Sequence, residues 1–244
     1  MEQTQKSLRN IGLKGLFVIV LIASVWMLSF SKIEAKSIWN ESLAPSVQLD
    51  ENEKIIQVSL GAYHTVVLTD KGRVFNWGYN FWGNLGINDA SVFSTEIPRE
   101  LTFPLVGSEK IIQISAGGNN SAALTDTGRV FTWGINYTGQ LGIGTTNTSV
   151  PQQSVPGEVT NWPSKTGTII QVCIGGSHSS ALTDQGEVYT WGNNDRGQLG
   201  IGSTLNQSSP KKVTNFPGKM GKIVQVSLGD SHTGVLTDQN EVYL

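Results

Sequence analysis

The sequence is short of the residues on which several classes of protein depend. It holds one cysteine, Cys173, among 244 residues, which excludes an intrachain disulfide framework and a metal site built from several thiolates. The 17 lysines and arginines are outnumbered by 19 acidic residues, and the formal net charge is -2. Binding to the phosphates of nucleic acid needs a concentration of cations that this chain lacks, so we predict no nucleic acid partner.

Long apolar stretches are also scarce, and the one clear example runs from Gly15 to Phe30. Basic residues flank it: Lys6, Arg9 and Lys14 before it and Lys32 after it. This order is typical of an export signal. As a helix the stretch would reach about 24 Å, less than a hydrocarbon core of about 30 Å. Residues 1–35 are therefore either a signal peptide cleaved after Ala35 or an uncleaved anchor in the membrane, with a buried core helix as a third reading.

Either form of export places the remainder of the chain outside the cytoplasm, secreted or anchored by the N-terminal segment. We expect residues 36–53 to be a linker and residues 54–244 to form the folded domain. The domain is rich in turns, since the chain contains 28 glycines.

Four segments of the domain come into register when the sequence is laid over itself. They begin at Ile55, Ile111, Ile169 and Ile223, at spacings of 56, 58 and 54 residues. The repeats extend over about 54–109, 110–167, 168–221 and 222–244. Each holds an apolar run, a turn, a second apolar run, a Thr-Asp-x-Gly or similar hairpin, and a third run that ends at Trp-Gly in the first three copies.

A polar loop and a weaker fourth strand complete each of the first three copies. Proline stands at or near the start of that strand, at Pro98, Pro151 and Pro210. Because proline donates no ladder hydrogen bond, the fourth strand should be the outer edge of its sheet. Four-stranded antiparallel sheets that need neighbours to bury their faces predict an all-β fold, a β-propeller with three complete blades and part of a fourth.

The ordered motifs Gly-x-x-His-Ser/Thr, Leu-Thr-Asp-x-Gly, Val-Phe/Tyr-x-Trp-Gly and Gly-Gln-Leu-Gly resemble the repeat of the regulator of chromosome condensation family. The resemblance covers about residues 54 to 244 and implies a propeller of seven blades. It leaves function open, because the same repeat serves nuclear nucleotide exchange, plant light sensing and a secreted inhibitor of β-lactamases.

Seven blades would need roughly 390 residues, more than this chain supplies. The fourth copy ends at Leu244, one residue before the expected tryptophan. We therefore expect a truncated sequence, with a true half-propeller as the alternative; the missing blades would come from downstream sequence or from another chain.

Most of the chemically capable residues recur once per copy, which favours a structural role. The histidines share one slot of the repeat, which Asn120 fills in the second copy, and the tryptophans share another. These structural positions are His64, His178, His232, Trp77, Trp133 and Trp191. We predict hydrogen-bonding struts for the histidines and wedges between blades for the tryptophans. With these positions set aside, no paired carboxylates, phosphate loop or metal-spaced cluster remains, so we predict no enzyme, metal or cofactor.

The positions that vary between copies are the candidates for binding, because a scaffold leaves its loops free for recognition. In a four-stranded antiparallel blade the first and third loops share a face. The candidates on this loop face are Tyr63, Phe81, Trp82, Asn119, Tyr137, Ser177, Asp195, Arg196, Asp230 and Ser231. Three large aromatics in the first copy are of the kind that dominates protein interfaces. The alternative is that Phe81 and Trp82 only cover the rim of the propeller.

We therefore expect a non-catalytic extracytoplasmic scaffold that binds a protein or a cell-surface polymer through its loop face. The alternative, implied by the resemblance, is a guanine-nucleotide exchange regulator of a small GTPase. The export signal argues against that alternative, because such a partner is nuclear or cytosolic.

Overall fold

The computed structural model of the chain describes residues 46–89, 91–146, 152–216 and 221–244. The predicted signal or anchor helix at 1–35 and the linker up to residue 45 lie outside these ranges. Within them the structure is all β, and no helix is long and apolar enough to span a membrane.

The strands of the described residues form four antiparallel sheets, which we call blades 1 to 4. Blade 1 holds β1 (Ile55–Leu60), β2 (His64–Thr69), β3 (Val74–Tyr79) and β4 (Ser94–Glu100). Blade 2 holds β5 (Ile111–Gly117), β6 (Asn120–Thr125), β7 (Val130–Ile135) and β8 (Gln152–Glu158). Blade 3 holds β9 (Ile169–Ile174), β10 (His178–Thr183), β11 (Val188–Gly192) and β12 (Gln207–Lys212), and blade 4 holds β13 (Ile223–Leu228), β14 (Thr233–Thr237) and β15 (Val242–Tyr243).

Each sheet runs in chain order from its first strand to its last, so the predicted four-stranded antiparallel blades are confirmed. The hairpin between the second and third strands closes as its residues require. In blade 1 the main-chain N–H of Gly72 donates to Thr69 O at 3.0 Å, with a φ of 81° at Gly72. Asn240 takes that place in blade 4 with a φ of 62°, because asparagine tolerates the left-handed conformation better than other non-glycine residues do.

Prolines lie inside the outer strands rather than at their starts. Pairing of the third strand with the fourth puts Glu100, Glu158 and Lys212 in register, and a proline stands two residues before each. The equivalent prolines are therefore Pro98, Pro156 and Pro210. The expectation that Pro151 is the equivalent residue of the second copy is wrong, because the longer loop of that copy shifts the strand. The outer-edge position of the fourth strand is correct.

Adjacent blades are joined by a glutamine of the first strand. Gln57 accepts the main-chain N–H of Ile114 at 2.9 Å and donates to Ile114 O at 2.7 Å. Gln171 makes the same pair of bonds with Val226, at 2.9 and 3.0 Å. A side chain that occupies both main-chain groups of one residue fixes the register of neighbouring sheets as well as their separation.

The tryptophans of the third strands of blades 2 and 3 pack against the preceding blade. Trp133 and Trp191 are fully buried, and their indole N–H groups donate to Asn84 O at 2.9 Å and to Gln140 O at 3.0 Å. Trp77 is only half-buried, because the described residues place no sheet on that side of blade 1. The hydrophobic core is thus divided into separate clusters between successive blades.

In blades 1 to 3 an ion pair joins the residue just before the third strand to the fourth strand, and the signs of the charges are exchanged in blade 3. In blade 2, Arg129 contacts Glu158 at 2.6 Å and Glu109 at 2.7 Å. In blade 3 the arginine position is occupied by Glu187, which contacts Lys212 at 2.5 Å. Gly167 stands where blade 2 has Glu109, so the exchanged pair meets no third carboxylate at that position.

Candidate protein-binding surface

Six aromatic side chains lie together where the loops of blades 1 and 2 meet. They come from the first turn of blade 1, the end of β3, the loop that follows it, the residue before β4, and the β7–β8 loop. We call this set the aromatic surface: Tyr63, Tyr79, Phe81, Trp82, Phe93 and Tyr137.

The rings form one unbroken chain of contacts across the surface. Phe81 is central, with centroid distances of 4.7 Å to Trp82, 6.1 Å to Tyr79 and 6.3 Å to Phe93. Tyr63 extends the chain from Tyr79 at 5.9 Å, and contacts of this length are typical of favourable aromatic pairs. Trp82 carries the chain across the blade boundary, because its ring lies 5.7 Å from that of Tyr137.

Five of the six rings remain exposed to solvent although they touch one another, and Trp82 is half-buried. Tyr63 is 67% exposed, Phe93 64%, and Phe81 and Tyr137 46% each. Single exposed apolar side chains are common on protein surfaces, but a contiguous aromatic group is the kind of feature that marks an interaction site.

A buried asparagine orders the loops that carry the rings. Asn80 Oδ1 accepts the N–H of Leu85 at 3.0 Å, and Asn80 Nδ2 donates to Val92 O at 2.8 Å and to Asp89 O at 3.2 Å. Its main-chain N–H donates to Phe93 O at 2.8 Å. One residue thus ties the turn holding Phe81 to the loop that ends at Phe93, which reduces the ordering cost of binding.

A second asparagine attaches this turn to blade 2. Asn84 Oδ1 accepts the N–H of Trp82 at 3.1 Å, and Asn84 O accepts the indole N–H of Trp133 at 2.9 Å. Asn84 Nδ2 donates to Asn119 Oδ1 at 3.1 Å. The aromatic surface is therefore held at the junction of blades 1 and 2. Trp133, which is buried in the core, also positions the turn that carries Trp82.

The predicted loop-face residues separate into two groups in the structure. Tyr63, Phe81, Trp82 and Tyr137 belong to the aromatic surface, and Asn119 adjoins it through Asn84. The others are polar residues of blades 3 and 4 outside the ring contacts: Ser177, Asp195, Arg196, Asp230 and Ser231.

Within that second group, hydrogen bonds join residues one or two positions apart, and two residues line a cleft between blades 3 and 4. Asp195 Oδ2 accepts from Asn193 Nδ2 at 3.0 Å, and Asp230 Oδ2 accepts from Ser231 Oγ at 3.1 Å. Arg196 and Ser231 line a cleft of about 480 Å³ between blades 3 and 4. The loop face thus changes from aromatic at blade 1 to polar at blade 3.

Two of the three histidines are buried between blades. His64 Nε2 lies 2.7 Å from Ser121 Oγ of the next blade, and His178 Nε2 lies 3.1 Å from Thr233 Oγ1. Burial lowers the pKa of each imidazole to about 4, so both rings are neutral at pH 7. His232 is exposed.

A family profile described as the RCC1-like domain matches residues 31–244. The chain belongs to this family. Among curated relatives, the ultraviolet-B receptor UVR8 of Arabidopsis thaliana is 34% identical over 204 residues, covering 83% of this chain and 44% of the relative. The X-linked retinitis pigmentosa GTPase regulator of the dog, Canis lupus familiaris, is 39% identical and covers 78% of this chain and 23% of the relative.

Solved structures of the RCC1-like fold agree with the architecture. Prp20p of Saccharomyces cerevisiae superposes with a TM-score of 0.64 at 21% identity, covering 76% of this chain and 45% of that protein. The same yeast protein bound to Kap60 gives a TM-score of 0.64 at 22% identity. The chain spans less than half the length of these relatives and structures, and the structural likeness establishes the fold alone.

Two members of the aromatic surface of this RCC1-like domain were missed by sequence reasoning. The sequence-based candidates for binding do not include Tyr79, at the end of β3, or Phe93, just before β4. Phe93 is brought to the surface by the Asn80 bonds, a contact across the loop that residue order does not reveal. A signal was present for the asparagine itself, because Trp-Gly-x-Asn occurs in three copies, at Asn80, Asn136 and Asn194.

The chemical groups of the aromatic surface of this RCC1-like domain are those of its rings. Its rings supply apolar area, three tyrosine hydroxyls and one indole N–H. The described residues contain no group of three or more metal-ligating acids, histidines or cysteines. The Cys173 thiol is largely buried, and burial raises its pKa to about 11, so it is protonated at pH 7.

Proposed function

We propose that the chain is a non-catalytic scaffold that binds a protein partner through the aromatic surface. The observation that carries the proposal is the contiguous chain of six rings, five exposed and Trp82 half-buried, on loops fixed by Asn80 and Asn84. Tyrosine and tryptophan are the residues that most often dominate binding energy, and rigid loops lower the entropic cost of association.

A pair of matched variants tests this proposal. Phe81→Ser with Trp82→Ser removes the centre of the aromatic surface, whereas Asp195→Ala with Arg196→Ala alters the corresponding loop positions of blade 3. Partners would be captured from the source cells by the full chain and quantified by mass spectrometry. We expect the first variant to lose at least 10-fold of a specific partner's signal, as for interface hot spots.

The control variant should retain that partner within twofold, with both variants keeping their thermal unfolding midpoints within about 3 °C of the unsubstituted chain. Equal loss in the two variants would contradict a role for the aromatic surface.

We also propose that binding takes place outside the cytoplasm, on the basis of the basic flanks and apolar stretch within residues 1–35. Protease added to intact cells should digest a C-terminal epitope tag on the full chain. Protection of the tag until the cells are lysed would refute the extracytoplasmic location while leaving the aromatic surface untouched.

A nucleotide-exchange regulator of a small GTPase is the second candidate function. It is favoured by the name of the canine relative, a GTPase regulator. Release of a fluorescent GDP analogue from a panel of small GTPases, with and without the full chain, separates the two candidates. Acceleration of at least 10-fold for one GTPase would favour this function.

A further inference from the structure

The cleft between blades 3 and 4 shares its main features with two sites in the same molecule that hold an indole. The indole is that of Trp133 between blades 1 and 2 and that of Trp191 between blades 2 and 3. Both rings are fully buried. The two occupied sites therefore show which groups surround an indole where two blades meet.

The first shared feature is a main-chain carbonyl oxygen of the preceding blade. Gln140 O accepts both the indole N–H of Trp191, at 3.0 Å, and the hydroxyl of Ser179, at 2.8 Å. The equivalent Gln198 lines the cleft, and its carbonyl oxygen accepts the hydroxyl of Thr233 at 2.7 Å. Among the described residues no indole donates to Gln198 O. A carbonyl oxygen has two lone pairs, so Gln198 O can accept one further hydrogen bond.

The second shared feature is a glycine against the ring. A Cβ atom on Gly86 would lie 2.9 Å from Trp133 Cδ1, and one on Gly142 would lie 2.6 Å from Trp191 Nε1. Both glycines are buried. The equivalent Gly200 lines the cleft and is exposed, and a Cβ atom on it would meet no ring of the described residues within 4 Å. The surface that the indole covers at the other junctions is open here.

The third shared feature is an aromatic side chain that meets the indole edge to face. The ring of Phe103 lies 5.9 Å from that of Trp133 at an interplanar angle of 68°, and the ring of Trp162 lies 5.7 Å from that of Trp191 at 88°. Phe216 is the equivalent residue and lines the cleft. The cleft thus presents the hydrogen-bond acceptor, the glycine and the aromatic ring that an indole contacts at the other two junctions.

We propose that the cleft binds the tryptophan side chain of an extended peptide segment. Trp191 lies on β11 opposite Ser179 of β10. Thr233 of β14 is the equivalent of Ser179, and the described pairing of β14 with β15 stops at Val235. A segment that pairs with β14 at Thr233 would place its tryptophan in the cleft. Recognition would then combine main-chain pairing with a specific side-chain pocket, as in other receptors that add a peptide strand to a sheet.

Fluorine NMR of N-acetyl-5-fluorotryptophanyl-glycinamide, titrated with the full chain, tests this inference. The analogue methylated at the indole nitrogen keeps the ring but cannot donate to Gln198 O, so it should bind about fivefold more weakly. Phe216→Ala removes the edge-to-face contact and should weaken binding of the unmethylated dipeptide about fivefold. Leu205→Ala alters an exposed residue outside the cleft and should change the affinity by less than about twofold.

The comparison of the two dipeptides needs no variant, so it holds even if Phe216→Ala impairs folding. Absence of saturable binding up to about 5 mM, equal affinity for the two dipeptides, or full affinity in a folded Phe216→Ala variant would overturn the inference. Free indole bound as tightly as the dipeptide would replace the peptide segment with a small indole compound.

The cleft is separate from the aromatic surface, and the inference does not rest on the proposed function. The Phe81→Ser, Trp82→Ser variant should therefore bind the dipeptide with an affinity within about twofold of the unsubstituted chain. Loss of dipeptide binding in that variant would show that the tryptophan binds at the aromatic surface, which would also overturn the inference.

Discussion

Replacement of the buried histidines should change how stability depends on pH. In the folded chain the pKa of His64 and of His178 is lowered from 6.5 to about 4 by burial. The unfolded chain therefore takes up protons below pH 6.5 that the folded chain does not bind until about pH 4. The free energy of unfolding therefore decreases as the pH is lowered from about 6.5 to about 4. The expected loss is about 2 to 3 kcal/mol per histidine between pH 7 and about pH 4.5.

Asparagine is a natural replacement, because Asn120 fills the same slot in blade 2 and is almost fully buried. The variant His64→Asn with His178→Asn loses two contacts to hydroxyl groups and should be about 2 kcal/mol less stable at pH 7. It does not titrate in this window, so its free energy of unfolding should fall less steeply and meet that of the unsubstituted chain at about pH 5.7. Urea unfolding of the full chain at half-unit steps of pH measures both curves.

Acidic groups do not obscure this window. The pKa of the Glu109 carboxyl is lowered to about 2: burial raises it, but hydrogen bonds from Thr127, Thr125 and Arg129 outweigh that effect. Its contribution to stability is therefore present above pH 4.5 and is lost only below it. As a control, Ser121→Ala removes the hydroxyl beside His64 but leaves the ring buried, so it should lower stability without changing the slope. Parallel curves for the histidine variant and the unsubstituted chain would refute the reasoning.

Two further predictions concern the ion pairs and the loops. Arg129→Glu alone should destabilise the chain by about 3 to 5 kcal/mol, because it leaves carboxylates facing one another. Adding Glu158→Lys and Glu109→Gly copies the charge arrangement of blade 3. Thermal unfolding of this triple variant should show that most of the lost stability is recovered. Asn80→Ala should speed hydrogen exchange in residues 81–93 at least 10-fold while leaving residues 137–146 unchanged, and Asn136→Ala should give the reverse. Acceleration of both loops by either variant would contradict local ordering.

The strands could be predicted because the same pattern recurs in four copies of the repeat. Apolar runs of similar length, separated by the Thr-Asp-x-Gly hairpin, leave few alternatives for the fold. The position of the outer strand was less accessible, since the loop before it varies in length and Pro151 was aligned in place of Pro156. Register there depends on pairing with the third strand, which residue spacing alone does not determine.

The binding surface was only partly predictable for a related reason. Phe81 and Trp82 stand out because other copies have different residues at those positions, and the shared face of the first and third loops follows from the antiparallel order. Phe93 was not accessible, because its approach to Phe81 depends on hydrogen bonds from Asn80 across the loop. The pairing of Arg129 with Glu109 likewise requires the ends of separate strands to be placed in space.

The aromatic surface is the centre of this account, and site-specific photo-crosslinking tests it most directly. A photoreactive phenylalanine analogue would replace Phe81 or, in a separate chain, Leu205, which is exposed at 72% in the corresponding loop of blade 3. The account predicts that the partner protein captured by the full chain is crosslinked from position 81 and that position 205 gives little product. Equal crosslinking from both positions, or a product from position 205 alone, would contradict it.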